Sequence, residues 1–144
     1  KMTLDKFVKQ YEGKKVDYDG YFGAQCVDLV RLYIHLVWNL PQPQNIISAY
    51  EAYTRWLRCG NGFNEISWKS LTKIARGDIV VFPPTDTNSY GHIAIVLDVA
   101  DGEVLSYKQN GFTQKGAEQK RRPLDMAFGC LTLSKKKKRS LENE

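Results

Sequence analysis

The hydrophobic pattern changes period along the chain, and that change restricts the fold more than any single motif. Leu4, Phe7, Val8 and Tyr11 recur at helical spacing behind Thr3, a candidate N-cap. Cys26, Leu29, Val30, Tyr33, Ile34 and Val37 mark one face of a second helix, which ends near the proline-bearing WNLPQP. Residues 48–57, SAYEAYTRWL, read as a third helix, with Ser48 as cap and Glu51 completing a capping box. After the loop CGNGFN the pattern turns to strands. GDIVVF (77–82) is a short apolar run halted by Pro83 and Pro84. GHIAIVLDV and EVLSYKQN flank Asp101-Gly102, a strong hairpin signal, and FGCLTL (128–133) is a last strand candidate. Helices first and antiparallel strands afterwards predict an α+β domain rather than alternating βαβ units.

At 144 residues the chain is the size of one domain and long enough to bury a core. No stretch approaches the roughly 20 apolar residues of a membrane span, and no charged-then-apolar leader opens the sequence, so no signal peptide is expected. Cys26, Cys59 and Cys130 are odd in number and widely spaced, which argues against a zinc site or a disulfide framework. The net charge of +5 owes +3 to residues 135–144, leaving +2 for the rest. That KKKKR-bearing end reads as a basic tail or linker, so the expected domain is 1–134. Without a basic stripe interleaved with aromatics elsewhere, no specific nucleic-acid partner is expected.

The densest chemistry is VDYDGYFGAQCVDLVRLY, residues 16–33. Cys26 lies where a glycine-containing loop enters a helix, and helix-start N–H groups and the dipole there favour a thiolate. The plain alternative is a small buried core cysteine. His92 opens a strand directly after Gly91, whereas His35 sits inside an apolar helix and reads as structural. A helix-start cysteine facing a strand-borne histidine is the arrangement in which imidazole takes the thiol proton and later protonates the leaving amine. The Cys26 main-chain N–H is the natural oxyanion donor, with the Gln25 side chain a weaker one.

The acids ahead of Cys26 are spaced as calcium ligands are. Numbering from Asp17 as position 1 puts Asp19 at 3, Tyr21 at 5, Gly23 at 7 and Asp28 at 12. Position 6 is Phe22 rather than glycine, and Tyr21 could offer only its carbonyl. The alternative is a solvated turn at Asp17 to Gly20, with Asp28 a first-turn acid favoured by the helix dipole.

Taken in order, DYDGYFGAQCVDL, GDIVVF, YGHIAIVLDV and YKQN resemble the CHAP domain (cysteine, histidine-dependent amidohydrolase/peptidase), above all the CHAP modules of bacteriophage endolysins. The resemblance runs from about residue 5 to residue 133. It implies a papain-like, NlpC/P60-type α+β fold with N-terminal helices packed on an antiparallel sheet. It implies further that Cys26 is the nucleophile and His92 the general base of a peptidoglycan hydrolase, an endopeptidase or N-acetylmuramoyl-L-alanine amidase. Its expected place of action is the bacterial cell wall, as a phage-encoded monomer, and the loop's acids become expected Ca²⁺ ligands with a structural or regulatory role. An impaired, calcium-binding wall module is the alternative reading.

The family's EQN-like block reads KQN here: Lys108 replaces a common glutamate, and Asn110 is retained to orient the imidazole. Strand parity conflicts with that assignment. A two-residue Asp101-Gly102 turn puts Gln109 on the face of His92, whereas a bulge would restore Asn110. Among aromatics that could line a cleft (Trp38, Trp56, Trp68, Tyr90, Tyr107, Phe112), Tyr90 and Phe112 are the expected substrate contacts, being near His92 and Asn110.

Overall fold

The computed structural model describes residues 1–18, 20, 23, 25–41, 49, 51–52, 63–110 and 115–143. Helix α1 spans Leu4–Tyr11 and begins as expected, with Thr3 Oγ1 accepting from Lys6 N at 3.2 Å. Helix α2 spans Cys26–Leu36 and buries Leu29, Val30, Tyr33 and Ile34. Of the expected helix at 48–57, Ala49, Glu51 and Ala52 are helical, and the remainder lies outside the described residues.

Six strands follow among the described residues: β1 (Ile66–Lys69), β2 (Ile79–Phe82), β3 (His92–Ala100), β4 (Glu103–Lys108), β5 (Glu118–Pro123) and β6 (Gly129–Leu133). They form one sheet in the order β1-β6-β2-β3-β4-β5, antiparallel throughout. The α+β class is therefore as expected. Strands β1 and β5 had no sequence signal. ISWK is short, and EQKRRP is charged and ends in proline, as suits an edge strand with nothing beyond it to pair.

The sheet has two buried faces. One carries Ile79, Val81, Ile93, Ile95, Leu97, Tyr107, Leu131 and Leu133 and packs against α1 and α2. Phe7 of α1 meets Tyr33 and Tyr107 edge-on at 5.6 and 6.2 Å between ring centroids. The opposite face carries Val80, Phe82, Ala94, Val96, Val104 and Cys130, closed by Ile74. Arg122 of β5 lies 5.2 Å from the ring centroid of Phe82 on β2. Two strands separate β2 from β5 in the sheet, about 14 Å when flat. The sheet must therefore curl, leaving this second face concave.

The β3–β4 hairpin turns through Asp101 and Gly102 at φ +54° and +73°, the two positive values that a tight two-residue turn demands. Paired residue numbers beside that turn add to 203, as in Ala100 with Glu103 and Asp98 with Leu105. Beyond a bulge between Val96 and Asp98 they add to 202, as in Val96 with Ser106 and Ile95 with Tyr107. Both alternatives raised by the sequence are thus present, one after the other.

The basic run at 135–139, expected as a solvated tail or linker, is mostly exposed but helical. It forms helix α3 (Lys135–Glu142), capped by Ser134 Oγ accepting from Lys137 N at 3.1 Å. Leu141 joins the main core, and Ser134 N donates to Glu65 O at 2.7 Å. One buried leucine and a good cap dock a helix whose composition alone suggests none. No helix among the described residues is long and apolar enough to cross a membrane.

Candidate active site

Cys26 is the first residue of α2 and is half-buried. Its thiol is set against the start of β3, where the Ile93 main-chain N–H is directed at it, together with those of Val27 and Cys26 itself. These donors favour the thiolate, but burial outweighs them and holds the thiol up at about 11. The expectation that the helix start would lower this pKa is therefore corrected. Desolvation of a sulfur wedged between α2 and β3 exceeds what three N–H groups return.

His92 opens β3 and is 6% exposed. Its Nε2 is buried without a hydrogen-bond partner among the described residues, and its ring faces Phe82 across the β2–β3 pair at 6.1 Å. Burial pushes the imidazole down to about 3, helped by the positive charges of Arg122, Lys108 and Lys120. Burial therefore favours the neutral form of both thiol and imidazole at rest. The ion pair would form only as substrate arrives and the proton moves.

Gly91 explains how the histidine is delivered. Its φ of +74° suits glycine, and a Cβ there would lie 2.6 Å from the Phe82 carbonyl oxygen. Asn88 fixes the approach, its Nδ2 donating to Gly91 O at 2.8 Å and its Oδ1 accepting from Tyr90 N at 3.1 Å. Tyr90 is 52% exposed on this approach, so its ring is open to a ligand. Trp38 and Tyr107 are core residues, donating to Tyr33 Oη and Val8 O, whereas Trp68 is exposed on β1. Trp56 and Phe112 lie outside the described residues.

Gln109 and Asn110 stand differently in the structure. Gln109 is fully buried and turned to the helix side. Its Oε1 accepts from Val16 N at 2.8 Å, while Nε2 donates to Val16 O at 2.7 Å and Gln25 O at 2.8 Å. Those bonds grip both ends of the loop that leads into Cys26, so Gln109 is not placed to hold the imidazole. Asn110 is half-buried two residues beyond β4, and the register past the bulge, continued, sets it opposite His92. Lys108 is buried and bonds Glu118 Oε1 across the β4–β5 pair at 2.6 Å. A carboxylate thus stands beside position 108 after all, but on the neighbouring strand.

Around the acids, Asp17 Oδ1 accepts from Gly20 N at 3.1 Å, and Asp28 Oδ2 accepts from Gln25 N at 2.9 Å. Asp28 therefore secures the start of α2, with Gln25 as N-cap. Asp19 and Tyr21 lie outside the described residues, and no group of three metal-binding side chains occurs among those described. The donors at Asp17, Gly23 and Asp28 are all oxygens, the hard ligands that calcium takes.

Nothing in the sequence pointed to Arg122, Lys120 or Phe82 at this site, because their approach depends on the curl of the sheet. A family model, the CHAP domain, matches residues 16–110, which is 95 of the 144 residues and includes Cys26, His92 and Asn110. The chain belongs to the CHAP family. Solved structures similar to this CHAP chain include the wild-type endolysin LysIME-EF1, with a TM-score of 0.69 and 23% identity over 92% of this chain. Ly7917, solved with the hydrolysing product of MDP, gives 0.64 and 19% over 88%. At these identities the likeness is one of fold. The CHAP chain spans 65% of the LysIME-EF1 chain and 60% of the Ly7917 chain.

Proposed function

We propose that this CHAP domain hydrolyses amide bonds of bacterial peptidoglycan, with Cys26 as nucleophile and His92 as base. The observation that carries the reading is the meeting of Cys26, at a helix start, with the first residues of β3, where the Ile93 N–H favours the thiolate and His92 presents a buried nitrogen with no partner among the described residues. As the Cys26 sulfur attacks the carbonyl carbon, its proton passes to the imidazole. The Cys26 main-chain N–H supports the developing oxyanion, and protonated His92 then gives its proton to the leaving amine. Water, deprotonated by His92, releases the acyl group. Asn110 orients the ring, and a neutral amide there stabilises imidazolium less than a carboxylate would.

An endolysin and a structure holding a product of MDP hydrolysis among the similar folds support wall material as substrate and a phage lysis system as origin. Endopeptidase and amidase chemistry would use the same residues. Calcium, held by Asp17, Asp19, Asp28 and the carbonyls of Tyr21 and Gly23, would brace the loop that delivers Cys26. The test is wall clearing by wild type and Cys26→Ala, followed by mass spectrometry of the fragments. Clearing by wild type alone supports the reading. No clearing on any tested wall sinks it, and equal clearing by both proteins removes Cys26 as nucleophile.

A further inference from the structure

The concave face beside His92 is overloaded with positive charge. Lys108, Lys120 and Arg122 all act on the imidazole, and a Cys26 thiolate, when formed, acts on Arg122 as well. The carboxylate bonded within this group is Glu118, on Lys108. Lys120 is itself held below the usual lysine range, first by Arg122. Among the described residues, three cations act on the imidazole with the Glu118 carboxylate bonded to one of them, while the buried Asp28 carboxylate acts on the Cys26 thiol.

Arg122 is the member whose geometry is specific. Its guanidinium lies over the ring of Phe82, the cross-strand partner of His92. Its Nε is buried and has no hydrogen-bond acceptor among the described residues. A buried charged donor without an acceptor is costly unless a ligand supplies one. The residue as a whole is half-buried with its guanidinium over the Phe82 ring, and a guanidinium matches the planar carboxylate with two parallel bonds.

We propose that Arg122, assisted by Lys120, forms a subsite for a free carboxylate of the substrate next to the amide that Cys26 attacks. The inference rests on the hydrolase reading and narrows its substrate class: peptides with a free carboxylate close to the cleaved bond are preferred over the same peptides amidated there.

A pair of small alkylating probes tests this without turnover. Iodoacetate and iodoacetamide react alike, the Cys26 sulfur forming a bond to the methylene carbon as iodide leaves with the bonding pair. They differ in carrying a carboxylate or an amide. The measurement is the ratio of their rates at Cys26, read by mass spectrometry of the Cys26 peptide and divided by the same ratio for glutathione. Wild type is expected to favour iodoacetate by about tenfold at low salt, from Coulomb attraction in a partly buried site, and less in 0.5 M salt, which is on the order of a 4 Å screening length. Arg122→Gln should bring the ratio near one, and Arg122→Lys should keep part of the preference.

Arg121→Gln removes the same charge from an exposed neighbour and should leave the ratio unchanged. Thermal melts confirm that each variant is folded, and Lys120→Gln, with an intermediate effect, serves if Arg122→Gln is not. A wild-type ratio near one, or equal effects of Arg121→Gln and Arg122→Gln, overturns the subsite. A persisting iodoacetate preference in a protein that clears no wall would remove the hydrolase reading and leave the anion site standing.

Discussion

Gln109 and Val16, 93 positions apart in sequence, are joined by two buried hydrogen bonds of 2.7 and 2.8 Å through both ends of one side-chain amide. A third bond from the same amide reaches the carbonyl of Gln25, next to Cys26. The strand that leads on to Asn110 thus also fixes the loop that presents Cys26.

Replacing Gln109 with Leu should therefore damage stability and activity together. It leaves Val16 N, Val16 O and Gln25 O buried without partners, a loss of about 2–4 kcal/mol. Urea unfolding measures the loss, and Cys26 alkylation should become faster as the loop loosens. A change under about 0.5 kcal/mol would show that the clasp contributes little.

Gly91→Ala places a methyl group on the Phe82 carbonyl and forces a positive φ on alanine. The expected loss is about 2–4 kcal/mol, with wall-clearing activity lost before the fold is, because His92 is the next residue. A variant with wild-type melting and wild-type activity would contradict this account of the turn.

The Lys108–Glu118 pair predicts an asymmetry. Glu118→Gln deprives a buried ammonium of its carboxylate and should cost about 1–2 kcal/mol, moderated because the Glu118 side chain is 42% exposed. Lys108→Met removes the buried charge itself and should change stability by under about 1 kcal/mol. Equal losses from the two variants would refute the asymmetry.

Burial holds the Cys26 thiol at about 11. Below that value the thiolate fraction rises with pH, so alkylation by iodoacetamide should climb about tenfold per pH unit from pH 7 to 10. A plateau below pH 8 would instead mean a thiolate stabilised at rest by imidazolium.

Calcium bound to the loop at Asp17–Asp28 should raise the melting temperature by several degrees in millimolar calcium relative to EDTA, and Asp17→Ala should shrink that difference. Identical melting curves would remove the metal. Chelation is expected to slow wall clearing without altering which bond is cut, since the ion would brace the nucleophile's loop rather than touch the substrate.

Local chemistry in the sequence already determined much of the protein. The Thr3 cap of α1, the apolar spacing of α1 and α2, the Asp101-Gly102 turn and the position of Cys26 at a helix start are set by neighbouring residues, and each stands as read. Other features were decided only when distant segments met. EQKRRP has no strand pattern of its own and becomes β5 by pairing with β4. KKKKRSLE becomes a docked helix because Leu141 finds the core. The bulge at Val96–Asp98 shifts the register of β4 against β3 ahead of Gln109 and Asn110. The curl of the sheet brings Arg122 to Phe82 and His92. Even the pKa values of Cys26 and His92 belong to this second group, because desolvation depends on what covers a side chain and not on the residues beside it in the chain.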